Sequence, residues 1–243
     1  MEPIYIEPWE SEQKYQRLAE LGRKLKIPVS EAFLTLKVTD RDGIILHHTK
    51  QRSHSWTRNA YQMLMTCLSA VQNAGTYSDG SLAAKKTDGT VVSSVFLLCT
   101  GNQGSSFGGS TETAGKGYRG AVGDPSTGIS IGRGDTAESF DGYALALPCA
   151  EGTGANQLNY LAGEAVIRAY DAPSKTLSAT HKRYANNNSP GTITVKEIGL
   201  IAYAVKGTTF PALMCRDVLV SPVDVPASGQ ILVTYTVSLV YPA

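Results

Sequence analysis

Charge is scarce in this chain of 243 residues: only 18% are Asp, Glu, Lys or Arg, the formal net charge is +1, and no long run of Lys or Arg occurs. The sequence therefore lacks the electrostatic footprint of a dedicated nucleic-acid or anionic-membrane binder. Cysteines are few and dispersed, at Cys67, Cys99, Cys149 and Cys215, and none forms the C-x-x-C pairing of zinc ribbons or redox motifs. All four are read as buried free thiols. No apolar run approaches the length of a membrane span, VFLLC being among the longest. The opening MEPIYIEPWE is acidic and has no apolar h-region, unlike a secretory signal. The expectation is a soluble protein made in a reducing cytoplasm, with neither a nucleic-acid nor a membrane partner.

What the chain does contain is 24 glycines, 12 tyrosines and many β-branched residues, a mixture that favours strands and tight turns. Residues 1–30 read as an arm followed by a helix. Pro3, Pro8 and Trp9 show no period, whereas Tyr15, Leu18, Leu21 and Leu25 recur on one face of a helix predicted over Ser11 to Lys26 and stopped by Pro28. Residues 31–243 read as one β-sandwich domain. Leu34, Leu36 and Val38 alternate with polar residues up to an Asp42-Gly43 hairpin turn. The period then changes: Trp56, Ala60, Met63, Leu64, Cys67, Leu68 and Val71 form a helical stripe, with Ser53 or Ser55 as cap and Gly75 beyond its end. A glycine-rich loop region spans 101–142. Strands are predicted at YALALP, GEAVIRAY, TLSATHKRY, TITVKEIGLIAYAV, ALMCRDVLV and ILVTYTVSLVY, with turns at Asp171 to Ser174 and at NNNSPG. With no βαβ alternation, the pattern predicts a mainly β chain: an antiparallel, jelly-roll-like sandwich with one amphipathic helix packed on it.

Chemistry-bearing patterns are weak one by one. GISIGRGDTAES, residues 128–139, matches G-x-G-x-x-A, but a phosphate site needs a helix opening directly behind the glycines, and DTAESFDGYALALP reads as turn and strand. Gly132 and Gly134 are assigned to backbone conformation, and the embedded Arg133-Gly134-Asp135 is read as incidental. His47 and His48 point to opposite faces of a strand, and neither they nor His54 and His181 have ligand spacing. No nucleophile signature is present, so no catalytic, metal or cofactor-binding residue is assigned. The irregularity that stands out is Glu197: the apolar phase of TITVKEIGLIAY slips between Val195 and Ile198, which predicts either a β-bulge near Lys196 and Glu197 or a strand buried on both faces. That slip draws Glu197 inward, where it needs a partner; Arg216 is the first candidate and Arg183 the second. A hydrolase would require a pocket bringing Glu197 or Asp217 to a nucleophile.

The ordered series RSHSWTRNAYQMLMT, GISIGRGDTAESFDGYALALPCAEGTGANQLNY, KRYANNNSPGTITVKEIGLIAY, CRDVL and VDVPASGQILVTYTVSL resembles virion structural proteins of tailed bacteriophages. The resemblance spans roughly residues 53 to 240 and leaves out the N-terminal 30. It implies a non-enzymatic building block, assembled in the host cytoplasm into the virion as a homo-oligomer in contact with other virion proteins. A neck or tail accessory role ranks ahead of capsid decoration. A receptor- or carbohydrate-binding fibre module, using Trp9, Trp56 or loop tyrosines to stack on sugars, is the rival.

Overall fold

Strict alternation of apolar and polar residues builds most of this molecule. The computed structural model describes residues 2–69, 83–92, 114–115, 117–206 and 208–241, with side chains throughout these except at 66–69, 205–206 and 208–209. The described chain is mainly β. In order, the elements are β1 (Ile4–Tyr5), α1 (Trp9–Leu25), β2 (Val29–Thr39), β3 (Ile45–Arg52), α2 (Arg58–Ser69), β4 (Ala84–Lys85), β5 (Val91–Val92), β6 (Gly128–Gly132), β7 (Asn159–Tyr160), β8 (Ile167–Asp171), β9 (Thr176–Asn186), β10 (Ile193–Lys206), β11 (Thr208–Val225) and β12 (Gln230–Val240).

The larger sheet runs β1-β3-β2-β12-β9-β7, with β8 also paired to β9; the smaller runs β11-β10-β6, and β4 and β5 form a short ribbon. All pairs are antiparallel except β1 with β3, so the larger sheet is mixed rather than purely antiparallel. Opposite one another on β2 and β12 stand Leu34 and Tyr235, Leu36 and Val233, and Val38 and Ile231, all buried. These residues share one core with Ile129 and Ile131 of β6, Ile193, Val195, Ile198 and Leu200 of β10, and Val223 and Val225 of β11. Burial of each such side chain stabilises the fold by about 1.5–3 kcal/mol. The hairpin of β2 and β3 closes as predicted, with Gly43 at φ 81 and the Asp40 carboxylate accepting the amides of Asp42 and Ile44.

Three expectations change. YALALP is no strand; residues 143–148 lie irregularly along β6, joined to it by Arg133 N–H to Leu147 O and Cys149 N–H to Ile131 O. GEAVIRAY is strand only from Ile167, whereas the short apolar strand at GISI, inside the glycine-rich region, is present as β6 and buried throughout. In α2 the stripe is out of phase: Met63 is buried but Leu64 is exposed, while Asn59 and Gln62 point inward. The physical reason is a second irregularity in β10–β11, between Leu200 and Ile201, where the carbonyls of Leu213 and Met214 accept hydrogen bonds from outside the sheet. Thr57 and Asn59 donate to them, so polar residues dictate how the helix sits. The helix starts after Thr57, and neither Ser53 nor Ser55 caps it. Beyond Thr57, Met63 and Ala60 pack on a second core of Ala202, Ala204, Ala212, Phe210 and Met214, where alanines permit close approach. Cys99, Val71 and Gly75, and the side chains of Cys67 and Leu68, lie outside the described residues.

The N-terminal segment is tethered by charge. α1 runs from Trp9 to Leu25 and ends in a left-handed Lys26. Its Glu12 receives both Nε and Nη2 of Arg52, at 2.8 and 3.1 Å, while Glu31 takes Nη1 at 3.0 Å and Glu7 the Arg52 amide at 3.1 Å. The guanidinium also lies 4.4 Å from the Tyr15 ring and 4.9 Å from that of Phe33. Meanwhile Leu18, Leu21 and Leu25 are each more than half exposed.

Hydrogen bonding to Arg52 lowers the Glu12 pKa from 4.5 to about 2. A carboxyl whose pKa falls on folding contributes stability above the unfolded value and loses it as pH drops through the folded value. Between pH 4.5 and about 2, α1 should therefore detach, seen as amide exchange in residues 9–25 quickening before that of β12. In Glu12→Gln the same amides should exchange quickly already at neutral pH.

Candidate functional site

The bulge predicted from the phase slip is present. Val195 pairs with Val223 and Glu197 with Val218, so β11 makes an excursion between them. Gln51 of β3 fills that gap, accepting the Val220 amide at 3.1 Å and donating to Val218 O at 3.3 Å. Glu197 is fully buried, and Arg216 Nε reaches its Oε2 at 2.6 Å. The first candidate partner is thus the observed one. Three backbone amides complete the carboxylate's shell: Gly134 and Leu147 donate to Oε1 at 3.0 and 2.7 Å, and Ala146 to Oε2 at 3.0 Å. Arg216 spends its other nitrogens on Thr136 O, Thr136 Oγ1 and Ala137 O.

This arrangement revises the role of the two glycines. Neither Gly132 nor Gly134 has a left-handed φ. They are glycines because a Cβ at Gly132 would stand 2.5 Å from Glu197 Oε1, and one at Gly134 2.7 Å from it and 2.5 Å from the Ala146 Cβ. The Arg-Gly-Asp tripeptide is correspondingly fixed: Gly134 is buried, and Asp135 pairs with Lys196 at 2.7 Å.

Arg183 does not touch Glu197. It lies beneath the loops instead and donates to five carbonyls, Ala121, Asp124, Thr127, Ile129 and Leu161, at 2.7 to 2.9 Å. Its guanidinium also stacks 4.8 Å from the Tyr160 ring. Burial pulls its pKa down, and Tyr160, Asp124 and Glu151 act against that. Glycine is required at Gly120, where a Cβ would fall 2.5 Å from Nη1.

Asp217, one residue beyond Arg216, points into the main core between the sheets. It accepts Tyr235 Oη at 2.8 Å, the Cys215 thiol at 3.4 Å and the His54 amide at 3.1 Å. Burial raises its pKa and that of Cys215. The thiol is therefore held neutral, and Ser53, Cys215 and Asp217 are all buried. Of the histidines, His47 contacts Thr49 Oγ1 at 2.8 Å, His54 lies 3.7 Å from Glu138, and His181 meets the Tyr118 ring edge-on. Among the described residues, no three His, Cys, Asp or Glu side chains gather as a metal set. Cys149 and Cys215 are free and buried.

The open features on the surface of the described residues include a groove and a cleft beside these groups. An apolar groove of about 580 Å³ is lined by Tyr15 and Leu18 of α1, Val29 and Ala32 of β2, and Trp56 and Met63 at the start of α2, among others. A polar cleft of about 560 Å³ lies over the Glu197 shell, between Arg133, Thr136, Asn156, Thr192 and Lys196. Compared with protein-family models, with curated proteins and with solved structures, the chain finds no match.

Glu197→Ala should lower unfolding free energy by about 3–5 kcal/mol, because it strands a buried guanidinium and three amides. Arg183→Met, which frees five carbonyls, should cost at least about 3 kcal/mol. Urea denaturation followed by Trp56 fluorescence measures both, and a change within error at either site would contradict the burial described.

Proposed function

We propose that this chain is a non-enzymatic structural component of a tailed-bacteriophage virion, assembling in multiple symmetric copies as a neck or tail accessory protein, and that its two main sheets form a β-sandwich. The observation that carries the reading is the exposed face of α1. Leu18 lines the apolar groove together with Tyr61 and Leu64 of α2, and Leu21, Leu25 and Ile27 are exposed further along and just beyond α1. A contiguous apolar ridge next to a groove is a protein-contact surface rather than a monomer's exterior. The occupant we assign is a second copy of this chain, as expected of a building block with closed symmetry.

Two further observations support the reading. The motifs that resemble virion proteins keep their order along the chain and meet in space around Glu197, Arg216 and Asp217. Among the described residues, the thiol that contacts a carboxylate, Cys215, does not line the groove, although Ser53 and His54 do. Trp56 packs against both cores, which argues against it as a sugar platform.

The test replaces Leu18, Leu21 and Leu25 together by Glu. All three are exposed, so circular dichroism and the melting temperature should stay as in the parent. Sedimentation velocity should show the parent as a discrete oligomer and the variant as a monomer. A monomeric parent, or an oligomer that persists in the variant, would remove α1 from assembly.

A further inference from the structure

Among the described residues, no carboxylate pairs with the Arg133 guanidinium. Its Nε is buried with no oxygen acceptor among the described residues, and the group the guanidinium meets there is the Cys149 thiol. Arg183 and Arg216, by contrast, are met by carbonyls or a carboxylate. Beside Arg133 stands the Cys149 thiol, which burial pushes up to about 11, so at neutral pH it is uncharged and cannot balance the guanidinium. Glu197 is near in structure, opposite Gly132, yet its oxygens are committed to Arg216 and the three amides.

Arg133 lines the polar cleft, and the cleft is preorganised. One wall is the 133–136 turn, held from behind by Glu197 and Arg216; another is β10, where Lys196 sits at the bulge. Sites whose donors are held in place bind without an ordering cost. Lys196 is matched by Asp135 at 2.7 Å, so of two cations and one carboxylate a single positive charge is left over. That balance suits a monoanion better than a phosphate dianion. A guanidinium presents paired N–H groups to a carboxylate. Around it, Thr136, Thr192 and Asn156 supply hydroxyl and amide groups, and no aromatic ring lines the cleft. Such a lining suits a hydroxylated molecule held by hydrogen bonds rather than one stacked on a ring.

We infer that this cleft is a binding site for an acidic saccharide, its carboxylate seated on Arg133 and its hydroxyls on Thr136, Thr192 and Asn156. The inference is independent of the self-assembly reading: it uses a different face, and either can fail while the other stands.

The full chain, labelled with ¹⁵N, is titrated with D-glucuronate, D-glucose and inorganic phosphate up to roughly ten-millimolar ligand, where a contact of millimolar affinity is well populated. Glucuronate should shift the amides of residues 133–136, 156 and 192–196, glucose should not, and phosphate should act more weakly than glucuronate. Arg133→Gln should weaken glucuronate binding at least tenfold at an unchanged melting temperature. Should that variant melt early, Lys196→Gln, at an outward-facing position, gives a second readout and should alter glucuronate affinity while the fold is retained. The inference is overturned by any of four results: no shifts with glucuronate, equal shifts with glucose, tighter binding of phosphate, or parental affinity in a folded Arg133→Gln.

Discussion

The contact between Glu197 and Arg216 is the constraint from which much of this structure follows. A carboxylate with no solvent exposure must be neutralised and fully hydrogen-bonded, or the fold loses several kcal/mol. Meeting that demand excludes a Cβ at Gly132 and Gly134, and pulls the amides of Gly134, Ala146 and Leu147 inward. The segment from 133 to 147, which has few apolar residues to bury, is ordered by this polar shell. GISIGRGDTAES thus does hold an anion with its backbone, as its glycine spacing hinted, but the anion belongs to the chain itself.

A second polar seam, Asp217 with Tyr235, ties the smaller sheet to the larger through the apolar core. Arg216 and Asp217 are neighbours in sequence and point to opposite faces of β11, one to each seam. The S-H-S-W-T-R-N stretch lies across both bulges: Ser53 touches Cys215, His54 and Ser55 present amides to Asp217, and Thr57 and Asn59 take the carbonyls of Leu213 and Met214. Motifs that are weak separately are therefore parts of one hydrogen-bonded assembly, which gives their order along the chain a physical basis.

What was legible in the sequence is what periodicity reports. The Asp42-Gly43 hairpin, β12, α1 and the Glu197 bulge all follow from apolar phase, and the phase slip sufficed to name Arg216. Residues whose partners are backbone atoms leave no such trace. Arg183 could be placed near a carboxylate by charge logic, yet its acceptors are carbonyls scattered over residues 121–161. YALALP alternates like a strand because Leu145 packs against Gly199 and Ala146 and Leu147 turn their amides to Glu197, an alternation with no ladder behind it. In α2, Asn59 overrides the apolar stripe because the sheet beneath offers carbonyls rather than methyl groups. Arg52 was missed since Glu7, Glu12 and Glu31 come from three separate elements and share no spacing.

Five carbonyls converging on Arg183 form the kind of oxygen cage that loop-rich proteins elsewhere fill with a bound mineral cation. Here the cation is a side chain, attached covalently to β9. It does not exchange with the medium, is not competed for by other ions, and is not removed by a chelator or by dilution. The loops around residues 118–163 carry their own permanent ion, and their order is thereby uncoupled from the ionic composition of their surroundings.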